Sequence, residues 1–181
     1  MPRVSQEQAK RNRQRVVEAA ASLFRERGLH GVGVADIMAA AGLTHGGFYG
    51  QFANKDALAG EAFDCALDRD RRGDFESLVA EYLSSEHVGS PGGGCPIAAL
   101  ANDVAREAPD SAVRRRFTQG VRRFADLIGN LLPPGSAERR RQRALATLST
   151  LVGALILARA MDDEQLVGEL LDAARATLRQ R

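Results

Sequence analysis

Apolar residues along this chain recur three and four positions apart almost everywhere, and hardly anywhere at every second position. That spacing gathers them on one face of a helix, so the chain is predicted to be all-α, with about nine helices. The first runs from about residue 6 to 27 and buries Val16, Ala20, Leu23 and Phe24 before Gly28 ends it. A short second helix carries Val34, Ile37, Met38 and Ala41 at the i, i+3, i+4, i+7 spacing of one inward stripe. Gly42 can then turn left-handed, Leu43 pins the turn, and Thr44 caps a third helix. On that helix Phe48 and Phe52 point inward, leaving Thr44, His45, Tyr49 and Gln51 outward. Asn54 caps a fourth helix that begins at Lys55 with Asp56 in its first turn and carries Leu58, Phe63, Ala66 and Leu67.

Phe75, Leu78, Val79 and Tyr82 mark a fifth helix, and residues 84–94, ending in Ser-Pro-Gly-Gly-Gly, are the clearest loop. A sixth helix holds Ile97, Leu100, Ala101 and Val104; a seventh, from about 110 to 132, turns Val113, Phe117, Phe124, Ile128 and Leu131 inward and stops at Pro133, Pro134 and Gly135. Residues 145–158 contain no charge and predict a buried helix, and a last helix adds Leu166, Leu170, Leu171, Ala174 and Leu178.

Two short helices around a glycine turn, the second presenting polar side chains, have the layout of a helix-turn-helix that reads DNA. The ordered set Ala20, Leu23, Phe24, Gly28, Asp36, Ile37, Ala41, Gly42, Gly46, Phe48, Tyr49, Phe52, Asn54, Lys55, Asp56 and Leu58 resembles the N-terminal domain of the tetracycline-repressor (TetR) family of bacterial transcriptional regulators. The resemblance covers residues 15–58. It implies a helix-turn-helix domain over residues 1–54 and a helical effector-binding and dimerisation domain over 55–181. It further implies a homodimer that binds a palindromic double-stranded operator, commonly as a repressor released by a small molecule. Two recognition helices must then stand about one DNA turn, roughly 34 to 36 Å, apart.

This chain departs from the family pattern in two places. Gly33 stands where a capping Thr or Ser is usual, and Gly50 joins Gly46 and Gly47 in a recognition segment of low helix propensity, each glycine costing about 1 kcal/mol relative to alanine. Two readings stand: the glycines let the helix backbone sit close to the groove and leave specificity to Thr44, His45, Gln51 and the N-terminal arm, or they only ease packing. The expected DNA contacts are Arg3, Lys10, Arg13, Gly33, Thr44, His45, Gly46, Gly47, Tyr49, Gln51 and Lys55.

Charge alters this picture only through its distribution. The net charge of +2 over 181 residues is too small to diagnose nucleic-acid binding. Yet Arg3, Lys10, Arg11, Arg13 and Arg15 crowd the N-terminal stretch against Glu7 alone, where an arm could follow phosphates. The first residues lack the apolar segment of a signal peptide and no uninterrupted apolar run reaches about 18 residues, so a cytoplasmic protein without a membrane partner is expected. Neither the two cysteines nor the three histidines show metal-ligand spacing, and no metal or cofactor is expected.

The remaining expectations concern the second domain. By the resemblance, an effector pocket draws on Phe63, Leu67, Tyr82, Leu100, Val104, Phe117, Val121 and Phe124, for a mostly apolar molecule. Cys95 joins that set with an alternative of its own. It sits at a helix N-cap before Pro96, where amides and the helix dipole favour a thiolate, so the chain could instead sense oxidants or electrophiles. Leu145, Leu148, Val152, Leu155, Ile156, Leu166 and Leu170 are the expected dimer interface. The competing classes are an enzyme, for which no nucleophile triad or phosphate loop stands out, and a sequence-nonspecific architectural DNA protein.

Overall fold

The computed structural model describes residues 6–68 and 73–180. Among these residues it is entirely helical: α1 (Gln6–Arg27), α2 (Val34–Ala40), a 3-10 turn (His45–Gly47), α3 (Lys55–Leu67), α4 (Phe75–Tyr82), α5 (Ser85–Gly89), α6 (Pro96–Arg106), α7 (Ala112–Leu131), α8 (Ala137–Ala160) and α9 (Glu164–Arg179). The nine α-helices described match the expected number, but they are not the same nine. The third expected helix is only a 3-10 turn, while α5 forms inside the expected loop because the Ser84 hydroxyl caps it, accepting from the His87 amide at 3.1 Å.

Local chemistry places most of the ends. Gly28 and Gly42 are left-handed, with φ of 76° and 66°, as the turns after α1 and α2 require. The Gly42 amide reaches the Ala39 carbonyl and the Leu43 amide the Met38 carbonyl, both at 2.9 Å, which is the paired bonding of a Schellman turn. Asn54, Asp74, Ser111, Ser136 and Asp163 each accept an amide proton at the start of the following helix.

One apolar core runs from Val16 on α1 to Leu178 on α9. Its hinge is α3, which packs against α1 on one side and α7 on the other. The expected domain division after residue 54 therefore falls at the cap of a helix shared by both halves. Polar bonds reinforce the junction: the Asp56 carboxylate accepts the amides of Ala112 (2.7 Å) and Val113 (3.1 Å), Asp103 accepts the Leu29 amide (2.7 Å), and His30 pairs with Glu107 (2.9 Å).

By length and composition α8 would suit a membrane crossing, which a count of uninterrupted apolar residues misses because Thr, Ser and Gly interrupt the run. Within the fold its inner face is ordinary core: Ala144, Leu148, Leu151, Ala154, Leu155 and Ala158 are buried against neighbouring helices.

Candidate nucleic-acid interface and effector cavity

Residues 44–52 are held as a chain of tight turns. The Thr44 carbonyl accepts the Gly47 amide (3.0 Å), the His45 carbonyl accepts Phe48 (3.2 Å), and the Phe48 carbonyl accepts both Gln51 (2.9 Å) and Phe52 (3.0 Å). Phe48 and Phe52 stack with ring centroids 5.5 Å apart and are buried, anchoring the segment in the same core as Ile37 and Met38. Everything between the anchors, Gln51 apart, faces out. Tyr49 is 68% exposed, its ring edge-on to Phe48 at 5.2 Å and to His45 at 6.2 Å. Thr44, at the cap position, makes no side-chain capping bond, so its hydroxyl is available to a partner.

The other expected contacts divide. Gly33 gives α2 no side-chain cap; the bond made at this end is the reverse one, from the Gly33 amide to the Asp36 carboxylate at 2.9 Å. Lys10 is exposed on α1. Three of the expected contacts have partners within the chain. Arg13 is committed to Glu61 through two bonds of 2.5 and 2.7 Å and lies 4.5 Å over the Phe52 ring; hydrogen bonding to Glu61 raises its pKa further, and the side chain serves to join α1 to α3. Gln51 does not project outward: its amide donates to the Gly47 carbonyl at 3.1 Å, and its Oε1 is buried. Lys55 is half-buried, with its ammonium 5.8 Å from the Phe24 ring centroid. Arg3 lies outside the described residues. Arg15 is not among the expected contacts, yet its guanidinium lies where a Cβ on Gly42 would come within 2.7 Å, beside the turn.

The glycines of the reading turn are not demanded by packing. A Cβ on Gly46 would meet nothing within 4 Å, on Gly47 nothing closer than Met38 Cε at 3.6 Å, and on Gly50 only the Gly47 carbonyl at 3.9 Å. None of the three has a positive φ. Replacing Gly47 and Gly50 together by alanine is therefore expected to stabilise the fold by about 1 to 2 kcal/mol, mainly by restricting the unfolded chain, as urea denaturation would read. Destabilisation instead would show that the glycines serve the turn itself.

Among the described residues, most of the expected pocket lining is packed into the core. Phe63, Leu100, Val104 and Phe124 are buried, and Leu67, Phe117 and Val121 are partly buried against the same core. Phe63 meets Phe117 at 5.4 Å, and a methyl at Gly120 would sit 2.5 Å from the Phe63 ring, leaving no gap between α3 and α7. Tyr82 and Cys95 do border open space: a cavity of about 350 Å³ whose lining also includes Leu78, His87, Ser90 and Gly94. A larger cleft of about 700 Å³ opens between α1 and residues 89–93. Arg159 reaches the wall of the smaller cavity, where burial lowers its pKa, partly offset by the nearby Tyr82 and Cys95. The Cys95 Sγ, expected at an accessible helix start, belongs to a residue with 0% exposure. Among the described residues no group of three or more His, Cys, Asp or Glu side chains could hold a metal.

On the expected dimer face, Leu145 and Leu166 are exposed, Val152, Ile156 and Leu170 are partly buried, and Leu148 and Leu155 belong to the core. Leu157, outside the expected set, is 54% exposed.

Residues 16–62 match the family model described as bacterial regulatory proteins, tetR family. An uncharacterized HTH-type transcriptional regulator of Mycobacterium tuberculosis is 32% identical over 173 residues, covering 83% of this chain and 86% of that protein. The HTH-type transcriptional regulator TtgR of Pseudomonas putida is 31% identical over 179 residues, covering 98% of this chain and 79% of TtgR. Among solved structures, a TetR-family regulator from Cytophaga hutchinsonii superposes with a TM-score of 0.74 at 19% identity, covering 99% of this chain and 98% of that one, a likeness of fold.

Proposed function

The chain belongs to the TetR family of bacterial transcriptional regulators, and from that premise we propose that it acts as a homodimeric repressor, released from a palindromic operator by a small-molecule effector. It is a DNA-binding regulator and not an enzyme. The observation that carries the finer reading is the pairing of two sets of uncovered side chains: the polar turn of Thr44, His45 and Tyr49, and the exposed Leu145, Leu157 and Leu166 of α8 and α9. A palindromic site needs both, because a two-fold dimer presents its reading turns at a fixed separation.

The effector site we favour is the 350 Å³ cavity. Its lining sets the His87 imidazole, the Ser84 and Ser90 hydroxyls and the Glu81 and Glu86 carboxylates beside Tyr82, which suits a molecule with hydrogen-bonding groups more than a wholly apolar one. With Cys95 enclosed, a reversible, non-covalent effector is the reading we carry in place of an oxidant-sensing thiol. Such a regulator works on chromosomal DNA in the cytoplasm.

Selection of duplexes from a random-sequence pool tests this reading. The expected product is an inverted repeat with half-sites about one helical turn apart, bound in band-shift assays in preference to a scrambled duplex. Equal affinity for both would favour the nonspecific architectural reading; enrichment of asymmetric single sites would count against a dimer.

A further inference from the structure

Residues 84–95 are gripped from two sides at once. On the inner side, the His87 Nε2 accepts the Cys95 amide at 3.0 Å, which leaves the ring proton on Nδ1 to donate to the Tyr82 carbonyl at 2.7 Å. The carbonyls of His87 and Val88 accept from the Arg159 guanidinium of α8, at 2.7 and 3.2 Å. On the outer side, the Gly92 carbonyl accepts from Arg25 of α1, through Nε at 2.8 Å and through Nη2, with the Ser22 hydroxyl at 3.5 Å. Arg25 is only 7% exposed.

At two glycines the loop is seated directly against side chains of the flanking elements. A Cβ on Gly94 would lie 2.6 Å from Arg159 Nη2 and 2.8 Å from His87 Nε2, and one on Gly92 would lie 2.1 Å from Glu26 Oε1 of α1. The connection between loop and helices is thus made through the side chains of Arg25, Arg159 and His87, whose bonds must follow the loop or break when it moves. The loop also divides the two cavities. Ser90 and Gly93 line both, so the cleft on the α1 side gives the loop somewhere to go when the smaller cavity fills.

We propose that residues 84–95 transmit effector binding to the DNA-binding helices: a molecule seated against His87 and Ser90 beside Tyr82 displaces the loop, and the loop moves α1 through the Arg25–Gly92 bond. The proposal rests on the effector-responsive reading above. In thermodynamic terms, the effector prefers the displaced loop and the operator prefers the clamped one, and the difference is the coupling.

Gly94→Ala can stand in for the effector, because its added methyl pushes on His87 and Arg159 from within, and Arg25→Met removes the link. Two quantities are read in all four chains of the cycle: backbone hydrogen exchange over residues 17–27, and affinity for the duplex selected by the wild type. Gly94→Ala is expected to speed exchange in α1 and weaken duplex binding, each by about tenfold. In the Arg25→Met background the same change is expected to add less than about twofold. Equal effects in both backgrounds, or unaltered α1 exchange in Gly94→Ala, would overturn the proposal. Should Gly94→Ala not fold, Arg159→Met frees the loop from α8 and takes its place in the cycle: faster α1 exchange that depends on Arg25 supports the coupling, and exchange that ignores Arg25 overturns it. A wild type that selects no duplex counts against the DNA reading instead, and the exchange measurements still decide the coupling.

Discussion

Aspartate at both Leu157 and Leu166 is expected to leave a folded monomer that has lost its operator. The two leucines are 54% and 48% exposed, so the substitution removes little core packing and should change the stability of the single chain by about 0.5 kcal/mol or less. Its effect falls on association. Among the described residues, the large apolar side chains left most open are Tyr49, Leu145, Leu157 and Leu166, and three of these four lie on α8 and α9. At a two-fold interface each patch meets its own copy, so every substitution enters twice and like charges are brought together in an apolar setting. Without the partner only one reading turn can engage at a time, and the advantage of bivalent binding, on the order of 100-fold or more, is lost. Light scattering would read the mass and a band shift the affinity. A variant that stays dimeric with unchanged affinity would show that α8 and α9 are not where the copies meet.

The choice of Leu157 illustrates where the sequence falls silent. Caps, turns and buried stripes are local matters, and Gly42, Asn54, Phe48 and Phe52 stand in the structure as their spacing predicts. A helix such as α8, apolar on nearly every side between residues 145 and 158, carries no polar stripe to say which face looks outward. Spacing alone therefore groups Leu148 and Leu155 with Leu145, though they lie in the core. How the expected pocket residues pack is hidden for a related reason. Phe63, Phe117 and Phe124 have the same periodicity whether they line a void or fill it, and only Gly120, which lets Phe63 lie against α7, reveals that they fill it. Long-range pairings are equally hidden: nothing near Arg13 in the sequence announces Glu61, nor anything near Arg25 the Gly92 carbonyl.

Removing the Tyr49 ring should cost the protein most of its sequence discrimination without disturbing its fold. Between the anchors Phe48 and Phe52 and just before them the turn offers Gly46, Gly47 and Gly50, which have no side chains, and Gln51, whose amide is folded onto the Gly47 carbonyl. In the proposed function, reading therefore falls to Thr44, His45 and Tyr49, and the loss of one of them would have no neighbour to compensate it. Tyr49→Ala is expected to weaken binding to the selected duplex by about 10- to 100-fold, equivalent to roughly 1 to 3 kcal/mol, while the thermal midpoint stays near that of the wild type because the ring is 68% exposed. Tyr49→Phe separates the ring from its hydroxyl. If the hydroxyl bonds a phosphate, Phe should lose nearly as much as Ala; if the ring packs on a base, Phe should bind almost as the wild type does. Salt dependence supplies the control, since removing the exposed Lys10 charge is expected to shallow the salt slope by about one if it meets a phosphate, whereas Tyr49→Ala should leave the slope alone. A Tyr49→Ala protein that binds the selected and scrambled duplexes as the wild type does would place the reading surface elsewhere, and the open glycines would then have to be explained by some partner other than DNA.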